Sequence, residues 1–453
     1  MKRTYSWLVF LLVGLSVLLV WAVTLSHPAT LNWSPWAYSE WLINYDAGFI
    51  RRGISGELID LLVPADHIAA VNLLVFANYL VLSLLLLWGW RRSPTRSPAA
   101  MALAVLVPGG LFQMAVGNAF FFRKEFVFHI ALGVDCVVYS LVLAASNPQR
   151  RRWLAGALIT LFAIQSLLLP LVHESYLFIS YPAAWLIANR VARLVPERPM
   201  YRRAVDATIG LEVVLFGICA MFKGNPAIVD HMWHAMSAAD RLLISQGTGA
   251  LPSGGISAIG WSTMLNLTGV FQMFLAGEFW IWALAGAGIG GVLVLITAWS
   301  VCRPAAAADA VPTAAGVEQA NRDVDTFRAH MGQLVFLFLA SSPMYLLGID
   351  WGRWLSSVTI SYLLILFVDT RAMLSPPDLL RVLPRALRAR LAQSFEFSPQ
   401  RAAQAVVSVV TKRRVACLVL AMLFCLTFRS PECCMKVGSP FYRLKPMVMQ
   451  ILK

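Results

Sequence analysis

Charge is scarce in this chain. Only 13% of its 453 residues are Asp, Glu, Lys or Arg, about half the roughly one quarter of a soluble domain. That scarcity excludes an ordinary soluble globular protein. The seven cysteines form no CxxC pair, which excludes a cysteine zinc site built on that spacing. Cys136, Cys219, Cys302, Cys417 and Cys425 fall in or beside apolar runs and read as small packing residues, whereas Cys433 and Cys434 are neighbours near the C-terminus. There is no GxxxxGK[ST] loop and no GxGxxG after a strand, so no nucleotide-cradling loop is expected. Strict apolar–polar alternation is missing too, which excludes barrel strands. The first apolar run ends without an A-x-A pattern, so it is expected to remain as an uncleaved helix. No internal repeat is found.

What is present is long apolar sequence. Hydrophobic residues make up 59% of the chain and mean hydropathy is +0.69. At about twenty apolar residues per crossing, candidate spans lie at 6–26, 67–90, 99–119, 125–146, 153–172, 175–189, 204–222, 279–300, 331–348, 354–369 and 414–428. The expectation is an all-α, polytopic integral membrane bundle of about 11 transmembrane helices, with residues 1–453 forming a single integral membrane domain. The net charge of +14 follows from the positive-inside rule and calls for no nucleic acid. With the N-terminal MKR inside, the loops 91–98, 147–153 and 189–203 and the segments 301–330 and 370–413 are cytoplasmic and hold most of the basic residues. The 301–330 segment is Ala/Pro-rich and reads as a flexible linker, and 370–413 as a basic amphipathic helix on the inner membrane face. The short apolar segment 262–277 is expected to be interfacial or re-entrant.

The opposite, extracytoplasmic loops hold the informative charge. The first, 27–66, contains Asp46, Arg51 and Arg52 in YDAGFIRRG. FFFRKEF holds Arg123 and Lys124 beside Glu125, LVHESY holds His173 and Glu174, and GIDWGRW holds Asp350 and Arg353. The long loop 223–278 carries Asp230, His231 and His234, where a divalent metal would suit the ligand types. Its TGALPSGGIS stretch reads as mobile and able to close over a substrate. Arginines on this side run against the positive-inside rule, and ionisable residues at membrane depth point to function.

Carboxylates supply a general base, and guanidinium forks clamp phosphates. Asp46, His173 and Glu174 are therefore the expected catalytic groups, and Arg51, Arg52, Arg123, Lys124, Asp350 and Arg353 the substrate and phosphate contacts. A site of this composition at the outer lipid boundary suits a polyprenyl-linked sugar donor, a glycan or lipid acceptor, and the cytoplasmic membrane of a bacterium. No cofactor is implied beyond the optional divalent metal. A first helix followed by a long outer loop with an early acid resembles the GT-C class of membrane glycosyltransferases. The general plan is also similar to O-antigen and capsule polymerases. The GT-C resemblance implies a catalytic acid in the first outer loop, at Asp46, or at Glu40 as second choice; Asp46 is followed by Ala47, not by a second acid. The alternative is a transporter or flippase for an anionic glycolipid, for which Glu212, inside an apolar run, is the clue.

Overall fold

The computed structural model describes residues 2–25, 35–63, 66–93, 95–113, 123–245, 251–302, 314–368 and 399–430. These are helical, with no strand among the described residues. In chain order the main helices are α1 (Lys2–Leu25), α2 (Pro35–Trp41), α3 (Ile54–Leu62), α4 (His67–Arg92), α5 (Pro98–Leu106), α6 (Glu125–Ala144), α7 (Pro148–Val172), α8 (Tyr181–Leu194), α9 (Pro199–Met221), α10 (Pro226–Ala235), α11 (Ala238–Ile244), α12 (Thr263–Leu275), α13 (Glu278–Val301), α14 (Ala314–Leu347), α15 (Trp351–Val368), α16 (Pro399–Lys412) and α17 (Arg414–Thr427).

Seven helices among the described residues are long and apolar enough to cross a membrane: α4, α6, α7, α9, α13, α14 and α15. Shorter apolar helical stretches lie at Val9–Trp21, Pro98–Gln113, Met264–Leu275 and Arg414–Thr427. Large apolar side chains such as Leu73, Leu84, Trp153, Leu167, Val213 and Leu284 point outward, a surface that lipid, not water, would cover. The protein is thus an all-α polytopic membrane bundle.

Local signals set the helix starts. Asn147 accepts from the backbone N–H of Gln149 at 2.8 Å with Pro148 in the first turn, and Asp66 accepts from Ala69 at 2.9 Å. Both are N-caps that satisfy otherwise orphaned donors. At the centre stands α15, buried on every face from Trp351 to Phe367. Its polar side turns inward: Tyr362 shares a hydrogen bond with Thr297 of α13 at 2.7 Å, and the Ser357 carbonyl meets His129 Nε2 of α6 at 3.0 Å. Such contacts hold helices together where lipid offers no hydrogen bonds.

The loops sort to two ends. At one, Thr95 donates to the Ser300 carbonyl at 2.8 Å, Arg152 pairs with Glu197 at 2.7 Å, and Arg414 reaches Ser97 at 3.3 Å. This is the end with the basic loops. At the other lie the N-terminal ends of α4, α6, α13 and α15 and the C-terminal ends of α7 and α9. Ser430, after α17, donates there to the Gly352 carbonyl at 3.3 Å.

Several expectations change. The 175–189 span is one turn, Tyr176–Ile179, followed by the 14-residue α8. The 99–119 span breaks after α5 at Leu106, at Pro108 and a left-handed Gly109 (φ 82°) set against the backbone of Ser356, and is helical again over 111–113; residues 114–119 lie outside the described residues. The expected linker 301–330 is helical from Ala314 onward as part of α14, because pairs such as Arg322–Glu318 at 2.9 Å support that turn; residues 303–313 lie outside the described part. Of 370–413, α16 is described and is strongly amphipathic. Residues 370–398, and Cys433 and Cys434, are outside the described residues. At 13 residues, α12 spans about 20 Å, short of a roughly 30 Å hydrocarbon core.

Candidate functional site

The charges of the loops expected to be extracytoplasmic converge at one end of the bundle. Glu40, on α2, is buried and accepts from Arg123 at 2.8 Å, with Arg353 at 3.7 Å and Arg52 at 4.0 Å. Glu174, just past α7, accepts from Arg51 at 3.0 Å and from Arg52 Nε at 2.9 Å, and Arg52 contacts it through a second nitrogen as well. Arg353, in the first turn of α15, pairs with Asp350 at 3.0 Å, approaches Glu125 at 3.4 Å and lies over the Trp354 ring at 4.1 Å. Lys124 is fully buried and donates to the Arg52 carbonyl at 2.9 Å.

Backbone geometry brings these groups together. Arg52 is left-handed (φ 70°), a conformation costing a non-glycine residue roughly 1–2 kcal/mol. Its guanidinium and its carbonyl are both held, by Glu174 and Lys124, and this offsets the strain. The Arg51 N–H donates to the Phe222 carbonyl at the end of α9 at 2.9 Å. Gly56 donates to the Ile43 carbonyl at 3.1 Å, and a Cβ there would stand 2.3 Å from that same oxygen. Gly255 lets the Gly254–Ser257 turn close over α2: its N–H meets Ser39 Oγ at 2.6 Å, and a Cβ would strike the Glu40 side chain at 2.5 Å. The PSGGIS part of the expected mobile loop is therefore docked, because its glycines allow backbone to lie directly on α2; residues 248–250 are outside the described part.

The electrostatics follow. Burial alone would raise the Glu40 carboxyl, but Arg123, Arg353 and Arg52 outweigh it and hold Glu40 well below the usual range. Glu174 is likewise held down, its burial overcome by Arg52 and Arg51. Burial, reinforced by Arg52, pushes His173 well below its ordinary value. Its Nδ1 accepts from the Ser175 N–H at 3.1 Å, so a neutral ring presents its proton on Nε2. Desolvation pushes Lys124 down to about 7. Several buried atoms lack hydrogen-bond partners: both Glu125 carboxylate oxygens, His173 Nε2, and Nε and Nη1 of Arg353. Unmet polar capacity on both sides of a charged cluster is what a ligand site retains.

Arg51, Arg52, Arg123, Lys124, His173, Glu174, Asp350 and Arg353 therefore belong to one cluster, as expected. Asp46 does not join it. Its exposed carboxylate accepts from Asn44 at 2.7 Å, because the 44–53 turn carries it to the other side of α2. There it lines a separate cavity of about 210 Å³ with Asn44, Asp60 and His67. Sequence reasoning missed the partners in that cavity. His67 lies between Asp60 at 3.1 Å and Asp240 at 3.0 Å, Asn44 also donates to Asp60 at 2.6 Å, and Tyr38 donates to Asp240 at 2.9 Å. Burial raises the Asp60 carboxyl, making it a stronger proton acceptor. Glu40, the second-choice acid, occupies the centre of the arginine cluster, where its three cations make it a weak base and a strong anchor.

Asp230, His231 and His234 sit on the exposed face of α10; His234 Nδ1 meets the Asp230 carbonyl at 2.8 Å, the ordinary contact of a solvated helix. Among the described residues no group of three or more His, Cys, Asp or Glu side chains is arranged to hold a metal ion.

Comparison with known proteins agrees with the fold. Residues 5–236, just over half of the chain, match the family described as uncharacterised membrane protein Rv1490. The chain is similar to the uncharacterized protein Rv1490 of Mycobacterium tuberculosis (strain H37Rv), with 23% identity over 362 residues that cover 74% of this chain and 77% of that one. The uncharacterized protein Mb1527 of Mycobacterium bovis matches with the same identity and coverage. No solved structure matches significantly. These names carry no chemistry, but the mycobacterial relatives suggest a bacterial origin, and the buried arginine cluster lies within the matched region except for Asp350 and Arg353. The chain belongs to the Rv1490 family of membrane proteins.

Proposed function

We propose that this protein is a membrane glycosyltransferase or polysaccharide polymerase that uses a polyprenyl (pyro)phosphate-linked sugar donor. The observation that carries the reading is the buried cluster of Arg51, Arg52, Arg123, Lys124 and Arg353 around Glu40, Glu125 and Glu174, in which Glu125, His173 and Arg353 face one another at 3.4–3.9 Å with atoms that complete no hydrogen bond. A lipid-linked phosphate offers acceptors for Lys124 and Arg353 while its polyprenyl chain stays in the bilayer. The gathering of the basic loops at the opposite end of the bundle supports an extracytoplasmic site, by the positive-inside rule.

In the reaction the acceptor hydroxyl oxygen bonds to the sugar's anomeric carbon as the bond to the phosphate oxygen breaks. The hydroxyl proton passes to a carboxylate in the neighbouring cavity, Asp46 or Asp60. The electron pair leaves with the polyprenyl (pyro)phosphate, whose charge the cations stabilise. Glu40 and Glu174 hold the guanidinium groups in place, and the neutral His173 offers its Nε2 proton to a donor or acceptor oxygen.

Transport of an anionic glycolipid is the second reading, favoured by one observation. Glu212 is not the only acid deep in a span: Asp135 of α6 is buried as well. Lipid-linked glycan analysis of membranes carrying Asp46→Asn or Arg52→Ala separates the readings. Precursor accumulating on the outer leaflet supports transfer, precursor held on the inner leaflet supports transport, and unchanged glycans in both variants count against either.

A further inference from the structure

Glu125 differs from the other glutamates of the rim cluster. Glu40 accepts from Arg123 at 2.8 Å, and Glu174 from Arg51 at 3.0 Å and Arg52 at 2.9 Å. Glu125 lies in the first turn of α6 and is 2% exposed, yet neither of its carboxylate oxygens completes a hydrogen bond among the described residues. Its Oε1 faces Arg353 Nε at 3.4 Å and His173 Nε2 at 3.9 Å, and those two nitrogens, with Arg353 Nη1, complete none there either. His173 and Arg353 are 1% and 5% exposed. Both donors are held from elsewhere. The Ser175 N–H occupies His173 Nδ1 at 3.1 Å, and Asp350 at 3.0 Å with the Trp354 ring at 4.1 Å fixes Arg353.

Neutralising the neighbouring cations does not call for this arrangement. Glu40 and Glu174 do so at hydrogen-bond distance, the stronger geometry, whereas Glu125 acts on Arg52 and Lys124 through space. A buried polar group without a hydrogen bond is costly, and here acceptors and donors stand unfilled side by side. The group that fits must both donate and accept. A phosphate oxygen only accepts and is repelled by Glu125. An ammonium only donates and is repelled by Arg353. A hydroxyl does both: its proton goes to Glu125, and its oxygen accepts from His173 Nε2 or an Arg353 N–H. One oxygen seated beside a gap of 3.4–3.9 Å lies within hydrogen-bond distance of both sides.

We propose that Glu125, with His173 and Arg353, is a subsite for the sugar hydroxyl next to the phosphate-bearing carbon. The inference rests on the glycosyl-donor reading and narrows it. Arg353 is shared, since it also meets the phosphate in that reading, and Lys124, the other phosphate contact, is the chain neighbour of Glu125. The hydroxyl nearest an anomeric phosphate is the one on the adjacent carbon. The donor class is therefore a sugar with a free 2-hydroxyl, and 2-deoxy donors lack the matching group. Hydrogen bonds to that hydroxyl strengthen as the sugar gains oxocarbenium character, so Glu125 determines specificity without taking the acceptor's proton.

Two synthetic probes test this without knowledge of the sugar. Farnesyl ethyl phosphate and farnesyl 2-hydroxyethyl phosphate share a prenyl chain and a phosphodiester and differ by one hydroxyl. Binding of each to the full-length protein in nanodiscs is measured by microscale thermophoresis, with empty nanodiscs as background. The wild type should bind the hydroxyethyl probe about tenfold more tightly or better, the range of one hydrogen bond to a charged group. The ratio should fall toward one in Glu125→Met and lie between in Glu125→Gln. A general loss of phosphate affinity moves both probes together, so the ratio reports the hydroxyl alone. If neither Glu125 variant folds, the ratio in His173→Phe, where one donor is gone, decides in the same way. Equal binding of both probes to the wild type overturns the subsite and leaves the gap to a resident water, while the phosphate reading stands. An unchanged ratio in the variants overturns it as well. Binding of neither probe overturns the phosphate reading and the subsite together.

Discussion

Replacing Glu40 by Gln should be among the most damaging isosteric changes in the molecule. The carboxylate faces Arg123 at 2.8 Å, Arg353 at 3.7 Å and Arg52 at 4.0 Å. At an effective dielectric of about 20 these distances correspond to gross attractions of about 6, 4.5 and 4 kcal/mol. Desolvation and repulsion among the three guanidinium groups cancel most of that. What remains is the cost of leaving buried cations uncompensated, about 3–5 kcal/mol when one partner of a buried pair is removed. Denaturant unfolding in mixed micelles gives this difference directly. Arg123→Gln alone should cost a comparable amount, and Glu40→Gln/Arg123→Gln should be less destabilising than the sum of the singles by about 2 kcal/mol or more. Asp46→Asn, on an exposed residue with no arginine partner, should stay within about 0.5 kcal/mol of wild type. Strict additivity in the cycle, or a Glu40→Gln protein as stable as Asp46→Asn, would refute the account of Glu40 as anchor.

Gly56→Ala should destabilise by about 2 kcal/mol or more, because its methyl would meet the Ile43 backbone; Gly53→Ala should cost less, because it meets the partly exposed Tyr45 ring, and the same unfolding assay ranks them. Glu174, held below its ordinary 4.5, contributes stability above that pH and loses it as pH falls through the lower folded value. The stability gap between wild type and Glu174→Gln should therefore stay level from neutrality down to about pH 4.5, narrow as pH falls from there toward the lower folded value, and be closed below it. In a transfer assay with a polyprenyl phosphate sugar, Asp46→Asn and Asp60→Asn should separate the two candidate bases. The true base should lose about 10²–10⁴-fold in rate, with the fold unchanged by circular dichroism.

The class of fold was legible because it depends on composition and run length, which are properties of the chain itself. So was the rim cluster: Arg51, Arg52, Arg123 and Arg353, in loops separated by apolar runs, come together because the helices between them alternate in direction. What the sequence hid was side-chain direction within the first loop. Asp46 and Glu40 are six positions apart and equally acidic, yet the short α2 and the turn after it send them to opposite sides. The His67–Asp240 contact joins residues 173 positions apart, with no spacing rule to announce it. The helical start of α14 was masked by alanines and prolines that read as linker, and Asp135 by the apolar residues around it.

Tyr38 and Glu40 sit two positions apart on α2, one hydrogen-bonded into the Asp46 cavity and the other into the arginine cluster. Residues at that spacing on a helix point some 200° apart, so this seven-residue element turns one side chain to each group. The α2 backbone is thus common to both, and a mutation that shifts Tyr38 should be felt at Glu40.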